Sequence, residues 1–124
     1  MTAEEFVAAL RRVALEAAVN STLSVLQSPP GRRPGDELIK ASDWYRNLSD
    51  DDREQLRTVI AMVAHDAVFG VLAVLDGVRT VESTADKGAF GLTFVKNGEE
   101  VELNPAKGEM LHDLLNAQMP QRGR

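Results

Sequence analysis

Two histidine–aspartate pairs are the residues best placed by type to do chemistry. His65-Asp66 lies inside a long apolar run, and His112-Asp113 repeats the order near the end of the chain. Adjacent helical residues point about 100° apart, so His65 and Asp66 are not expected to bond to each other directly. An aspartate in an apolar helix calls for a partner or a shifted protonation equilibrium, and such groups gather at functional sites. Arg11, Arg12 and Arg79 are the candidate partners for Asp66. Asp76 follows His65 by three helical turns, roughly 16 Å, too far to share a proton. His65, Asp66, Asp76 and His112 are therefore the candidate catalytic set. They qualify only if at least two of them converge within hydrogen-bond reach, directly or through one water.

The other chemistries lack their signatures. There is no cysteine, which removes disulfides, thiolate metal sites and cysteine nucleophiles. HExxH, GxSxG, GxGxxG and GxxxxGK[ST] are all absent. Asp50-Asp51-Asp52 could suggest a cation, but three consecutive positions on one helical turn diverge and cannot all face one ion. Neither a metal site nor a cofactor is expected.

A second group of residues suggests binding. Trp44 and Tyr45 are large amphipathic side chains of the kind that anchor interfaces, although Trp44 is expected to pack under the helix that follows. Glu99, Glu100 and Glu102 make an acidic edge, which also discourages strand-to-strand association. The formal net charge is −5, and the excess of acids lies after residue 49. An acidic surface repels phosphate backbones and speeds encounter with a basic partner, so nucleic acid is not an expected partner. The N-terminus carries Glu4 and Glu5 where a secretory signal would carry bases, and the chain reads as cytoplasmic.

The elements that must position these residues can be read from local signals. Thr2-Ala3-Glu4-Glu5 is a capping box, and Phe6, Leu10, Val13 and Ala17 continue at helical spacing towards Leu26. Ser28-Pro29-Pro30-Gly31-Arg32-Arg33-Pro34-Gly35 is a loop. Asp36 is expected to cap a short helix reaching Trp44 and Tyr45, and Ser49 to cap the next, with Asp50–Asp52 on the positive end of its dipole. From Val59 to Leu75 that helix is apolar nearly all round, which predicts a central helix wrapped by its own protein rather than one in a membrane. Ala61, Ala64, Ala67, Gly70 and Ala73 leave room for close helix approach, within the fold or across a dimer.

Gly77 suits a left-handed helix end. Strands are expected over 79–84, 90–96 and 99–103, with Asn97-Gly98 as a type I′ hairpin turn. Asn104-Pro105 reads as the start of a last helix carrying Met110, Leu111, Leu114 and Leu115. The expected architecture is a single α+β domain over residues 1–119 with a flexible tail at 120–124. It has a helical core around one long buried helix, a three-stranded antiparallel meander and a C-terminal helix.

Trp44-Tyr45-Arg46-Asn47-Leu48-Ser49, Phe69-Gly70-Val71-Leu72-Ala73-Val74-Leu75-Asp76-Gly77 and Leu111-His112-Asp113-Leu114 together resemble a small bacterial domain family of uncharacterised function. Its pattern is W-[FY]-x-x-L-S…FG-x-L-x-V-L-D-G…L-H-D-L. The resemblance implies a bacterial domain and brings no catalytic role to any residue. The residues favour a non-catalytic protein-interaction module, a small acidic accessory or immunity-type protein binding a protein partner or a second copy of itself. The alternative is a small hydrolase or ligand-binding enzyme using the His and Asp groups near the hairpin.

Overall fold

A computed structural model describes residues 1–119 and gives an α+β fold of helices with one two-stranded antiparallel sheet. The expected tail at 120–124 lies outside the described residues. The first helical rod runs as α1 (Ala3–Leu10), a π-helical segment (Arg11–Glu16) and α2 (Ala17–Gln27). Thr2 Oγ1 accepts from the Glu5 amide at 3.1 Å, the forward half of the capping box. In the π segment the Ala17 N–H reaches back five residues to the Arg12 carbonyl, so the turn is wider by one residue. The rod ends at Ser28, which is extended before Pro29.

α3 (Asp36–Arg46) begins at an extended Gly35, so Asp36 is its first residue and not the cap expected of it. Ser42 on α3 is completely buried, and its hydroxyl donates to the Leu26 carbonyl at 2.6 Å. The helical partner of that carbonyl would be the amide of residue 30, which is a proline and has none. Ser42 therefore satisfies an acceptor that α2 cannot. Ser42→Ala is expected to cost about 1–3 kcal/mol in urea unfolding; a change within error would show that water replaces the hydroxyl.

α4 (Asp50–Leu75) starts as expected, with Ser49 Oγ accepting from the Asp52 amide at 3.1 Å. It ends at Asp76, and Gly77 takes φ +78°. The expectation that it is wrapped on all sides is overturned. Only Leu72 and Ala73 of its residues are buried, and in its most apolar stretch 11% of positions are covered. The cause is a thin covering layer: the rod and α5 cover part of α4 and leave Val59, Met62, Val63 and Val71 exposed. By length and composition alone α4 is also long enough to cross a membrane.

β1 (Thr93–Lys96) and β2 (Glu99–Glu102) pair in the register Thr93 to Glu102 and Lys96 to Glu99. Asn97 and Gly98 both adopt positive φ, as the type I′ turn demands. The third strand expected over 79–84 is absent. Arg79 is drawn to α4, its N–H bonding the Ala73 carbonyl, and Glu82 bonds the Gly88 amide, so the backbone has no partner strand to join.

α5 (Leu111–Gln118) starts at Met110, six residues later than Asn104-Pro105 suggested. It buries Leu111, Leu114 and Leu115 against Val7 of α1 and Leu72 of α4. Val7, Leu15, Val19, Leu23 and Tyr45 complete the core. Gln118 closes the fold onto the first helix: its side chain donates to the Glu4 carbonyl, and its own carbonyl accepts from Arg11.

Candidate functional site

Two of the four sequence candidates meet. Asp76, at the C-terminal end of α4, reaches His112 in the first turn of α5, with His112 Nδ1 2.6 Å from Asp76 Oδ2. The same carboxylate accepts from the backbone amides of Leu111 at 3.0 Å and His112 at 2.9 Å. These are amides that a helix leaves without internal partners at its start. Met110, at the N-cap, supplies no side-chain cap, so Asp76 performs that role from another helix. The Asp76 side chain is 2% exposed and that of His112 12%. A carboxylate on Nδ1 fixes the imidazole proton there and turns Nε2 outward.

Nε2 faces Asp113 Oδ1 at 3.4 Å. An imidazole held this way has half the architecture of a general base. No serine or threonine hydroxyl is hydrogen-bonded to it among the described residues. Two of Asp76's three contacts cap α5, and the third holds the His112 ring in place.

His65 and Asp66 stand apart from this pair. Asp66 is exposed on α4 and not buried in an apolar core, which removes the need for an arginine partner. It touches only its neighbour, at 3.4 Å from His65 Nδ1, a longer contact than a strong hydrogen bond but one the adjacent-residue argument had excluded. His65 Nε2 lies 3.2 Å from Asn116 Oδ1 on α5. The two histidines are joined through Phe69: its ring stacks at 6.0 Å on His65 and meets the His112 ring edge-on at 5.2 Å. Arg79 covers the ring, its guanidinium 5.7 Å from the centroid. Gly70 makes room for it, because a Cβ there would stand 2.8 Å from Arg79 Nη1. The arginine expected for Asp66 is thus spent on an aromatic face. Arg11 and Arg12 do not reach Asp66 either; Arg11 pairs with Glu16 and Gln118.

The binding candidates separate as well. Trp44 is 55% exposed and lies beside Glu37, Lys40 and Ala41 on its own helix, whereas Tyr45 is buried. The expected packing of Trp44 under α4 is reversed, because the α3 register turns Tyr45 inward beneath Arg53, whose guanidinium lies 5.4 Å from the ring centroid. Glu99, Glu100 and Glu102 are exposed along β2.

Asn104, read from sequence as a helix cap, is instead the polar hub of the C-terminal half. Its Oδ1 accepts from the Leu92 amide at 2.8 Å, and its Nδ2 donates to the carbonyls of Leu75 and Phe90, both at 2.9 Å. It ties the hairpin to the end of α4. No sequence signal separates this use of Asn-Pro from a helix start.

The largest feature that the sequence reading did not foresee is a surface. Val59, Val63, Ala67 and Val71 recur every fourth residue along α4, and all four are exposed, Val63 at 64% and Val71 at 61%. Beside this ridge an open groove of about 320 Å³ runs to α2, lined by Ala18, Thr22, Val59, Ile60, Val63 and Ala64. α2 contains no charged residue, and from Thr58 to Leu75 α4 has one carboxylate, Asp66. Spacing alone predicts burial for such a run, and the described chain does not supply it.

Among the described residues no group of three or more His, Cys, Asp or Glu side chains gathers where it could hold a metal ion. Comparison with known protein families, with curated proteins and with solved structures finds no match for this chain.

Proposed function

We propose that this protein is a non-catalytic protein-interaction module whose docking surface is the α2/α4 face. One observation carries the reading: a two-helix face that is exposed yet uncharged, with the ridge Val59, Val63, Ala67, Val71 at its centre. Monomeric soluble proteins rarely leave contiguous apolar surface of this kind open to water, and such patches mark interaction sites. The valines are stiff at χ1, so holding them against a partner costs little side-chain entropy. Of the acidic residues, Asp50–Asp52 lie at the N-terminal end of α4 and Glu99, Glu100 and Glu102 on the hairpin, while Asp66 is exposed within the apolar run. They set solubility and discourage association elsewhere.

The test is site-specific photocrosslinking in the cell of origin. A photoreactive side chain at position 63 is expected to trap a protein, and the same group at Asp51, exposed on the charged end of α4, is expected to trap none. Equal yields at the two positions, or none at 63, would refute the docking face.

A further inference from the structure

Resting on that reading, we infer that the occupant of the α2/α4 face is a second copy of this chain, packed about a two-fold axis through the Val59–Val71 ridge. Three observations select a copy over other occupants. The first is shape. Residues at four-residue intervals form one of the natural ridges of a helix, and the commonest helix-packing class sets such a ridge on each helix into the groove of the other. Val59, Val63, Ala67 and Val71 supply the ridge, and the groove lined by Ala18, Thr22, Val59, Ile60, Val63 and Ala64 lies directly alongside. One face thus carries both halves of the fit, which is what an isologous interface requires.

The second is charge. At a two-fold axis a residue meets its own image, so a charge at the centre of the face would meet a like charge. The molecule carries a net charge of −5, yet this ridge and the groove beside it contain no ionisable group. Asp66, the sole carboxylate of the apolar run, is exposed about 60° around the helix from Val63, on the side away from the groove residues Ile60 and Ala64. A neutral face on an acidic protein is poorly suited to capture a basic partner and well suited to its own image. It is equally poorly suited to a lipid surface, where a membrane-seeking helix places lysine and arginine beside its apolar stripe. Here Asp50, Asp51, Asp52, Glu54 and Asp66 outnumber Arg53 and Arg57 along α4.

The third is size. Eighteen residues of α4 and eleven of α2 give two strips about 27 Å and 17 Å long and about 10 Å wide, a flat footprint of about 440 Å² per copy before side-chain relief is counted. A symmetric pair then buries about 880 Å², below the range of stable interfaces and within that of weak, transient ones, so dissociation at micromolar concentrations is expected.

Sedimentation equilibrium on the purified full chain tests this. A mass rising with concentration from 13.5 kDa towards twice that value is expected in the micromolar range. Val63→Glu is expected to hold the protein at the monomer mass with its far-ultraviolet dichroism unchanged, because the position is exposed and no core contact is lost. Val13→Glu, exposed on the first rod away from the groove, is expected to dimerise normally. A monomer at all concentrations overturns the inference, as does a dimer that survives Val63→Glu. Flotation of the wild-type chain with phosphatidylcholine–phosphatidylglycerol vesicles, abolished by Val63→Glu, would give the face to lipid and overturn it too. The two proposals fail separately: a monomer whose position 63 crosslinks to a different protein retains the docking face and loses the dimer, while a monomer that crosslinks to nothing loses both.

Discussion

Asp76→Ala is expected to lower the unfolding free energy by about 3–4 kcal/mol, a large part of the 5–15 kcal/mol typical of a domain. The loss has identifiable sources. The Leu111 and His112 amides and His112 Nδ1 all lose their acceptor. The first turn of α5 also loses the negative charge that its dipole favours. Water cannot readily replace the carboxylate, because its site is 2% exposed. Asp76→Asn is expected to fall between the two: its one oxygen can serve two of the three donors, and its amide group then faces the third. Chemical denaturation measures the order, and hydrogen exchange localises it, with the Leu111 and His112 amides exchanging faster before the rest of the protein is affected. A loss below about 1 kcal/mol would mean that the carboxylate is incidental to α5, since even an ordinary exposed cap is worth that much.

Asn104→Asp is expected to be worse than Asn104→Ala, although it is nearly isosteric. The alanine variant leaves the Leu92 amide and the Leu75 and Phe90 carbonyls without a partner, at about 2–3 kcal/mol. The aspartate keeps the acceptor for Leu92 but sets an anionic oxygen 2.9 Å from two carbonyl oxygens. Protonating the new carboxyl restores one donor, so a group of this kind is more easily protonated in the folded state than in the unfolded one. The deficit therefore grows as pH rises through the carboxylate range and shrinks on acidification. Urea unfolding at acid and neutral pH tests the sign. An aspartate variant more stable than the alanine variant at neutral pH would contradict the hub.

These two positions show where sequence stops being legible. Thr2, Ser49, Gly77 and Asn97-Gly98 act within three residues of themselves, and each was readable because its partner is set by backbone geometry alone. Asp76 and Asn104 act across 36 and 29 residues. Nothing in a local pattern states which distant amide an aspartate will cap, so Asp76 appeared only as a candidate for chemistry and Asn104 as the wrong cap. The 79–84 segment has the β-branched composition of a strand but was claimed by α4 through Arg79. α4 itself was read correctly as a helix and wrongly as a core, because hydropathy records a need for burial without recording which molecule meets it. Trp44 and Tyr45 exchanged roles through a rotation of about 100° on α3, finer than residue type resolves.

The extra residue in each widened turn of Arg11–Glu16 has a consequence for how a rod can be shared. An unbroken α-helix keeps a single stripe towards a single neighbour. Here a π-helical segment interrupts the rod midway, with α1 packed on α5 and α2 packed on α3 and α4. One continuous helix thereby does the work of two, joining the end of the chain to its middle without a loop between them.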